Sequence, residues 1–174
     1  MEYNLIYEIM RKALIVLLVV LCYQQMACAK SYPFDMKHSY EVEIVRVGSQ
    51  GTKYLKVFKT AGSIDKAING AMQDAVAACI FTGVEGKENA GRIQPLVKGI
   101  EEYNNNKKFF NEFFKKGKYM NYVKNVNSGY PSGEDNVKTR KGHRVCVYVI
   151  IMYDKLRNYL EDAGLVKRIN SYFK

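Results

Sequence analysis

The chain of 174 residues has no tryptophan, two histidines, three prolines and four cysteines. Zinc sites draw on closely spaced His and Cys pairs, and neither C-x-x-C nor H-x-x-x-H occurs, so no metal and no other cofactor is expected. The phosphate-cradling pattern G-x-x-x-x-G-K-[ST] is missing too. Glu88 follows Gly86 and Lys87, and the glycine-rich segment 83–92 comes after a helix pattern, so it reads as a loop. Nor is there an apolar run of the ~20 residues that crossing a bilayer takes; the run at residues 13–22 is too short. Acidic residues are scarce, 17 against 27 Lys and Arg, which leaves a net charge of +10.

The short apolar run has the flanks of an export signal. Arg11 and Lys12 precede it, the polar Tyr23, Gln24 and Gln25 follow, and Ala27 and Ala29 then place small residues around a cut before Lys30. Residues 1–29 are therefore expected to be a cleaved signal peptide. Glu2 and Glu8 do not suit a basic leader, whereas Met10-Arg11-Lys12 does, so residues 1–9 read as a start-site artefact. A lipid anchor on Cys28 is the alternative: Ala27 suits the position before an acylated cysteine, but Gln25 stands where such signals usually carry leucine. A buried N-terminal helix is the blander reading. The expected localisation is exported, either periplasmic, outer-membrane associated or extracellular.

Residues 30–174 suit a single domain. Removing Arg11, Lys12, Glu2 and Glu8 leaves the charge at +10. A basic balance favours anionic partners, and export points to an anionic membrane surface or an envelope protein partner and away from nucleic acid. Plain solvation by lysine competes with both. Of the cysteines, Cys79 and Cys146 remain. An oxidising compartment permits a disulfide between them, although their apolar neighbours favour two buried thiols.

Along this domain, SYEVEIVRV alternates Tyr40, Val42, Ile44 and Arg46 against Glu41, Glu43, Val45 and Val47, and TKYLKVFKT sets Tyr54, Lys56 and Phe58 against Leu55 and Val57. Joined by Gly48-Ser49-Gln50-Gly51, the two read as a hairpin. Ser63 is an N-cap candidate for an alanine-rich helix that puts Ile64, Ala67, Ile68, Ala71, Met72, Ala75 and Cys79 on one side and Asp65, Lys66, Asn69, Gln73 and Asp74 mostly on the other. Residues 98–118 read as a second helix ended by Gly117, YMNYVKNV as a strand and residues 127–136 as a loop. Residues 145–152 are apolar on both faces, as in a central strand covered on both sides, and LRNYLEDAG is a last helix. The fold class is α+β: an antiparallel sheet of about four strands in the order β-β-α-α-β-β-α, with helices mainly on one face.

The hairpin, the A-x-x-D-A-V helix running into I-F-T-G, the V-x-V-x-V strand and L-x-x-x-L-x-x-x-G at residues 156–164 together resemble the small periplasmic domains of the LPP20-like and flagellar-assembly T N-terminal group. The resemblance covers about half of residues 30–174 and rests on apolar spacing. It implies an α+β envelope domain associated with assembly and scaffolding, without catalysis. The aromatic, lysine-rich insertion at residues 98–126 departs from that pattern, and no functional residue carries over.

Chemistry is hard to find. A cysteine nucleophile would need a partly exposed thiol beside His143, yet Cys146, three residues away on a strand, points to the opposite face. Glu101-Glu102, Glu134-Asp135 and Glu161-Asp162 are sequence neighbours whose side chains diverge. The insertion offers one surface: Phe109, Phe110, Phe113 and Phe114, rimmed by Lys107, Lys108, Lys115, Lys116 and Lys118, would dock on an anionic membrane or a partner protein, or else be core. The leading expectation is an exported envelope protein that acts by binding, as an assembly or scaffolding component. A small periplasmic hydrolase and a membrane-surface or polyanion-binding domain using residues 98–118 are the alternatives.

Overall fold

The structure, a computed structural model, describes residues 10–12, 40–86, 91–127 and 129–168. The chain divides into two units, Met1–Tyr32 and Pro33–Lys174, and the sheet with its helices belongs to the second. The cleavage residues Ala27, Ala29 and Lys30 and the lipidation candidate Cys28 lie outside the described residues.

The alternating runs form the expected hairpin, β1 (Val42–Val47) and β2 (Thr52–Ala61). A β-bulge between Ile44 and Arg46 interrupts its register. One extra residue on a strand rotates everything beyond it to the other face, so Arg46 pairs with Tyr54 rather than sharing a face with Val42 and Ile44. Ser63 then caps α1 (Ile64–Ala77), its hydroxyl accepting from the Lys66 backbone N–H. Four alanines, Ala67, Ala71, Ala75 and Ala77, are fully buried along this helix, and their small side chains let it lie close across β2 and the central strand. Asp74 is not on the solvent side as the helical wheel suggests. Its carboxylate is buried and accepts from Lys59 Nζ of β2 at 2.6 Å, which ties helix to sheet.

The end of α1 widens into a π-helical turn, Ala78–Thr82. Widening leaves the carbonyls of Cys79 and Ile80 for a neighbouring segment, and the N–H groups of Leu96 and Val97 donate to them. Gly83 closes the turn at φ 73°, where a Cβ would lie 2.4 Å from the Ile93 carbonyl oxygen. Only glycine suits both conditions.

The insertion is two helices rather than one. α2 (Gly99–Asn105) stops at Asn106, whose side-chain amide donates to the Glu102 carbonyl, and α3 (Lys107–Lys115) begins again at once. Gly117, left-handed at φ 70°, ends α3 as expected, and a 3-10 turn, Lys118–Tyr122, leads into β3 (Val123–Asn125). The expected strand over YMNYVKNV is thus reduced to its centre. After a loop and a 3-10 turn at Gly133–Asp135 come β4 (Asn136–Thr139), β5 (Gly142–Met152) and, with no intervening loop, α4 (Tyr153–Asp162).

The result is an α+β fold with a five-stranded antiparallel sheet in the order β1-β2-β5-β3, with β4 also on β5. β3 pairs with residues 149–151 of β5 and β4 with residues 142–145. They form one interrupted edge strand, and the loop between them is held by Tyr130 Oη donating to Asp65 in the first turn of α1. On the helix side, Leu55, Val57, Val145, Val147, Val149 and Ile151 are completely buried.

Gly83→Ala is expected to lower stability by about 2 kcal/mol or more, combining a strained left-handed residue with a backbone clash. Gly62→Ala, with open space around the added Cβ, serves as control and should change little. Urea unfolding midpoints of the two variants measure the difference.

Candidate functional site: the helix-free face of the sheet

Period-two alternation sends every second residue of β2 and β5 away from the helices. On β2 these are Tyr54, Lys56 and Phe58; on β5 they are Arg144, Cys146, Tyr148, Ile150 and Met152. Tyr54 faces Ile150 across the ladder, Lys56 faces Tyr148, and Phe58 faces Cys146. All but Cys146 are half-buried, and none of the apolar ones belongs to the core or packs against it. This corrects the expectation that β5 is covered on both sides. Among the described residues, its second face is shielded by its own large side chains.

Cations lie on the rings. Arg46 sits 3.9 Å from the Tyr54 ring centre, and Lys56 lies 5.0 Å from Phe58 and 5.7 Å from Tyr148. Arg144 crosses Phe58 at 4.9 Å and ends on Glu41, 2.6 Å from its carboxylate. Such contacts hold long side chains flat while leaving their outer surfaces to a partner. Glu43 stands opposite Lys56, and Lys124 of β3 opposite Ile150, so both signs of charge are represented.

The residues singled out from sequence fall elsewhere. Phe110, Phe113 and Phe114 are buried and Phe109 packs against the core, which corrects the membrane-docking reading of these side chains. They form a ring cluster with Phe81, Tyr103, Tyr119, Tyr122 and Tyr159, with Phe81 to Phe110 at 4.9 Å and Phe113 to Tyr159 at 5.7 Å. Lys107, Lys108, Lys115, Lys116 and Lys118 remain exposed or at the cluster's rim. Large rings fill the space that α1, built on alanine, leaves empty.

Cys79 and Cys146 do not form a disulfide. Cys79 is in the core on the helix side, while Cys146 projects from the helix-free face in register with Phe58, so the sheet separates them. Burial pushes the Cys79 thiol up to about 12. Burial, and then a hydrogen bond to Asp135, pushes Cys146 up to about 11. His143 pairs with Asn136 at 3.0 Å, on the helix side of β5. It therefore faces away from Cys146, as the strand spacing predicts. Glu161 accepts from Arg157 and Asp162 from Arg168, and Glu101, Glu102 and Glu134 are exposed. No group of His, Cys, Asp and Glu that could hold a metal occurs among the described residues.

Sequence alternation places Tyr54, Lys56 and Phe58 on one face without marking them as a site. The available signal is that the opposite face carries the aliphatic Leu55 and Val57 at its centre, between Lys53 and Lys59, whereas this one mixes rings with a cation.

Neither thiol should react with an alkylating reagent at neutral pH until the chain is unfolded, and mobility should not depend on reductant. The pH dependence arises from the same shifts. Unfolded thiols ionise near 9.0, while the folded ones keep their protons to about 11 and about 12. Their contribution to stability is complete below pH 9.0 and is lost as pH rises through that window. Urea midpoints should therefore fall more steeply above pH 9.0 in the wild type than in Cys79→Ala.

A scan against protein-family models, a search of curated proteins and a search of solved structures each found no match to this chain.

Proposed function

We propose that this chain is an exported bacterial envelope protein that acts by binding, as an assembly or scaffolding component, and that the helix-free face of its sheet receives the partner. The carrying observation is the composition of that face: Tyr54, Tyr148, Phe58, Met152, Arg46 and Arg144 are gathered on adjacent strands. Tyr, Phe, Met and Arg are the residues enriched at protein interfaces, because they bury large areas with few rotatable bonds or make several directed hydrogen bonds. The mixed charge, with Glu41 on Arg144 and Glu43 opposite Lys56, favours a protein surface over a uniformly anionic one. The suppressed ionisation of both thiols argues against a cysteine nucleophile as the basis of the hydrolase alternative. The export reading rests on residues 1–29, and the resemblance to small periplasmic assembly domains points the same way.

Two measurements test the parts separately. Intact mass of the protein from its native host should begin at an unmodified Lys30; acylation of Cys28 would indicate an anchored form, and retention of residues 1–29 would reject export. A photoreactive aromatic at Tyr148 should give one discrete adduct with an envelope protein in the host, weakened by Arg144→Glu, and the same group at Lys66 on α1 should not. Equal labelling from both positions, or none from Tyr148, would reject the face.

A further inference from the structure

Positive charge is unevenly spread along this chain: residues 136–153 hold Lys138, Arg140, Lys141 and Arg144 without an acid, and residues 107–133 hold a larger surplus. Residues 107–133 contain six lysines, Lys107, Lys108, Lys115, Lys116, Lys118 and Lys124, and one acid, Glu112, a surplus of five out of the net +10. Lys116 bonds Glu112 at 2.8 Å, and Lys108 and Lys118 add to its effect in holding that carboxyl below its usual range. Lys108, Lys115, Lys118 and Lys124 are exposed and have no acidic partner within ion-pair distance among the described residues.

Several of these lysines share a rigid knuckle. α3 ends at Lys115, Gly117 turns the chain at φ 70°, and the 3-10 turn Lys118–Tyr122 carries it into β3. Tyr119 and Tyr122 are buried beneath, with the Tyr119 ring 5.8 Å from Phe114. Met120 is 49% exposed on the outer side. Its N–H donates to the Gly117 carbonyl, and its sulfur reaches back over Gly117, between the Lys116 and Lys118 positions. Cations at the C-terminus of a helix stabilise it through the helix dipole, which accounts for Lys115 and Lys116. It does not account for Lys118, Lys124 or an exposed methionine.

We infer that this knuckle is a docking point for an anionic phospholipid surface, with Met120 entering the interface and the surrounding lysines pairing with headgroups. Exposed, flexible lysines make a poor cage for one small anion, but they suit a fluid array of negative headgroups, to which each adds independently. Their stems can lie along the acyl boundary while the ammonium groups stay in water. Of these lysines Lys124, opposite Ile150, lies on the helix-free face, whereas Lys115, Lys116, Lys118 and Met120 form the knuckle itself, so the inference does not rest on that face. It also replaces the phenylalanines, which lie inside, with the residues that surface above them.

The test is co-sedimentation of the protein from its host with vesicles of phosphatidylcholine, alone or with about one-third phosphatidylglycerol. Binding should require phosphatidylglycerol and weaken as salt is raised. Lys115→Glu with Lys118→Glu should reduce binding roughly tenfold or more, while Lys66→Glu on α1 should leave it nearly unchanged. Met120→Ser should weaken binding several-fold and keep the salt dependence. Lys115→Gln with Lys118→Gln, read beside urea midpoints, guards against a folding defect in the charge-reversed variant. Equal binding to neutral vesicles, loss no greater than with Lys66→Glu, or binding to soluble polyanions such as heparin without binding to anionic vesicles would each overturn the inference.

Discussion

The ladder between β2 and β5 is the constraint on which the other features depend. It runs unbroken from Thr52 paired with Met152 to Ala61 paired with His143. A slip of one residue would turn one strand over relative to the other. It would expose Leu55 and Val57 and drive Lys56 against α1, or else expose Val147 and Val149 and drive Arg144 inward. The aliphatic face therefore specifies the register, and the aromatic and cationic face is positioned as a consequence. Gly142, where a Cβ would lie 2.1 Å from the Ala61 carbonyl oxygen, lets the start of β5 approach the end of β2 closely enough to complete the ladder.

Packing above that ladder divides into two parts. α1 contributes alanines, so helix and sheet approach closely but little volume is filled. The volume comes from α3 and the turns that come after it, where Phe113, Phe114, Tyr119 and Tyr122 pack edge to face or tilted against one another and Phe110 packs edge to face on Phe81. Burying each of these rings fully contributes about 1.5–3 kcal/mol, far more than the same area of helix could supply through alanine. With no tryptophan in the chain, phenylalanine and tyrosine supply this bulk.

The period-two and 3.6-residue patterns are legible wherever one face is strongly apolar: the hairpin, α1, its Ser63 cap, the Gly117 stop and β5 all emerge from sequence as elements, although the uncovered second face of β5 does not. Three features are not, each for a physical reason. The bulge at β1 requires only one unpaired residue and leaves no compositional trace. β3 and β4 are short because they share one edge of β5, and edge pairing of three or four residues produces too little periodicity to detect. Asp74 looks like a surface residue on a helical wheel because the lysine that neutralises it belongs to a different element. The helix-free face is half legible, since alternation separates Tyr54, Lys56 and Phe58 from the core residues, but nothing local says that Tyr148 and Arg144 join them.

A net charge of +10 says nothing about how the cations are used, and here they are used in two ways. Arg46, Lys56 and Arg144 lie over rings, Arg144 ends on Glu41 and Lys56 stands opposite Glu43, so these cations are held in place on the surface and two of them face a carboxylate. Their role there is to shape and orient, which suits recognition of a protein surface. Lys115, Lys118 and Lys124 have no comparable acidic neighbour among the described residues, and their fields extend into solvent over roughly a Debye length, about 8 Å at physiological salt. Unpaired charge of that kind acts at a distance and tolerates varied geometry, which suits a headgroup array. Composition alone joins the lysines to the phenylalanines beside them in sequence; helix periodicity and packing separate the two, turning the rings inward to the core and leaving the charge outside.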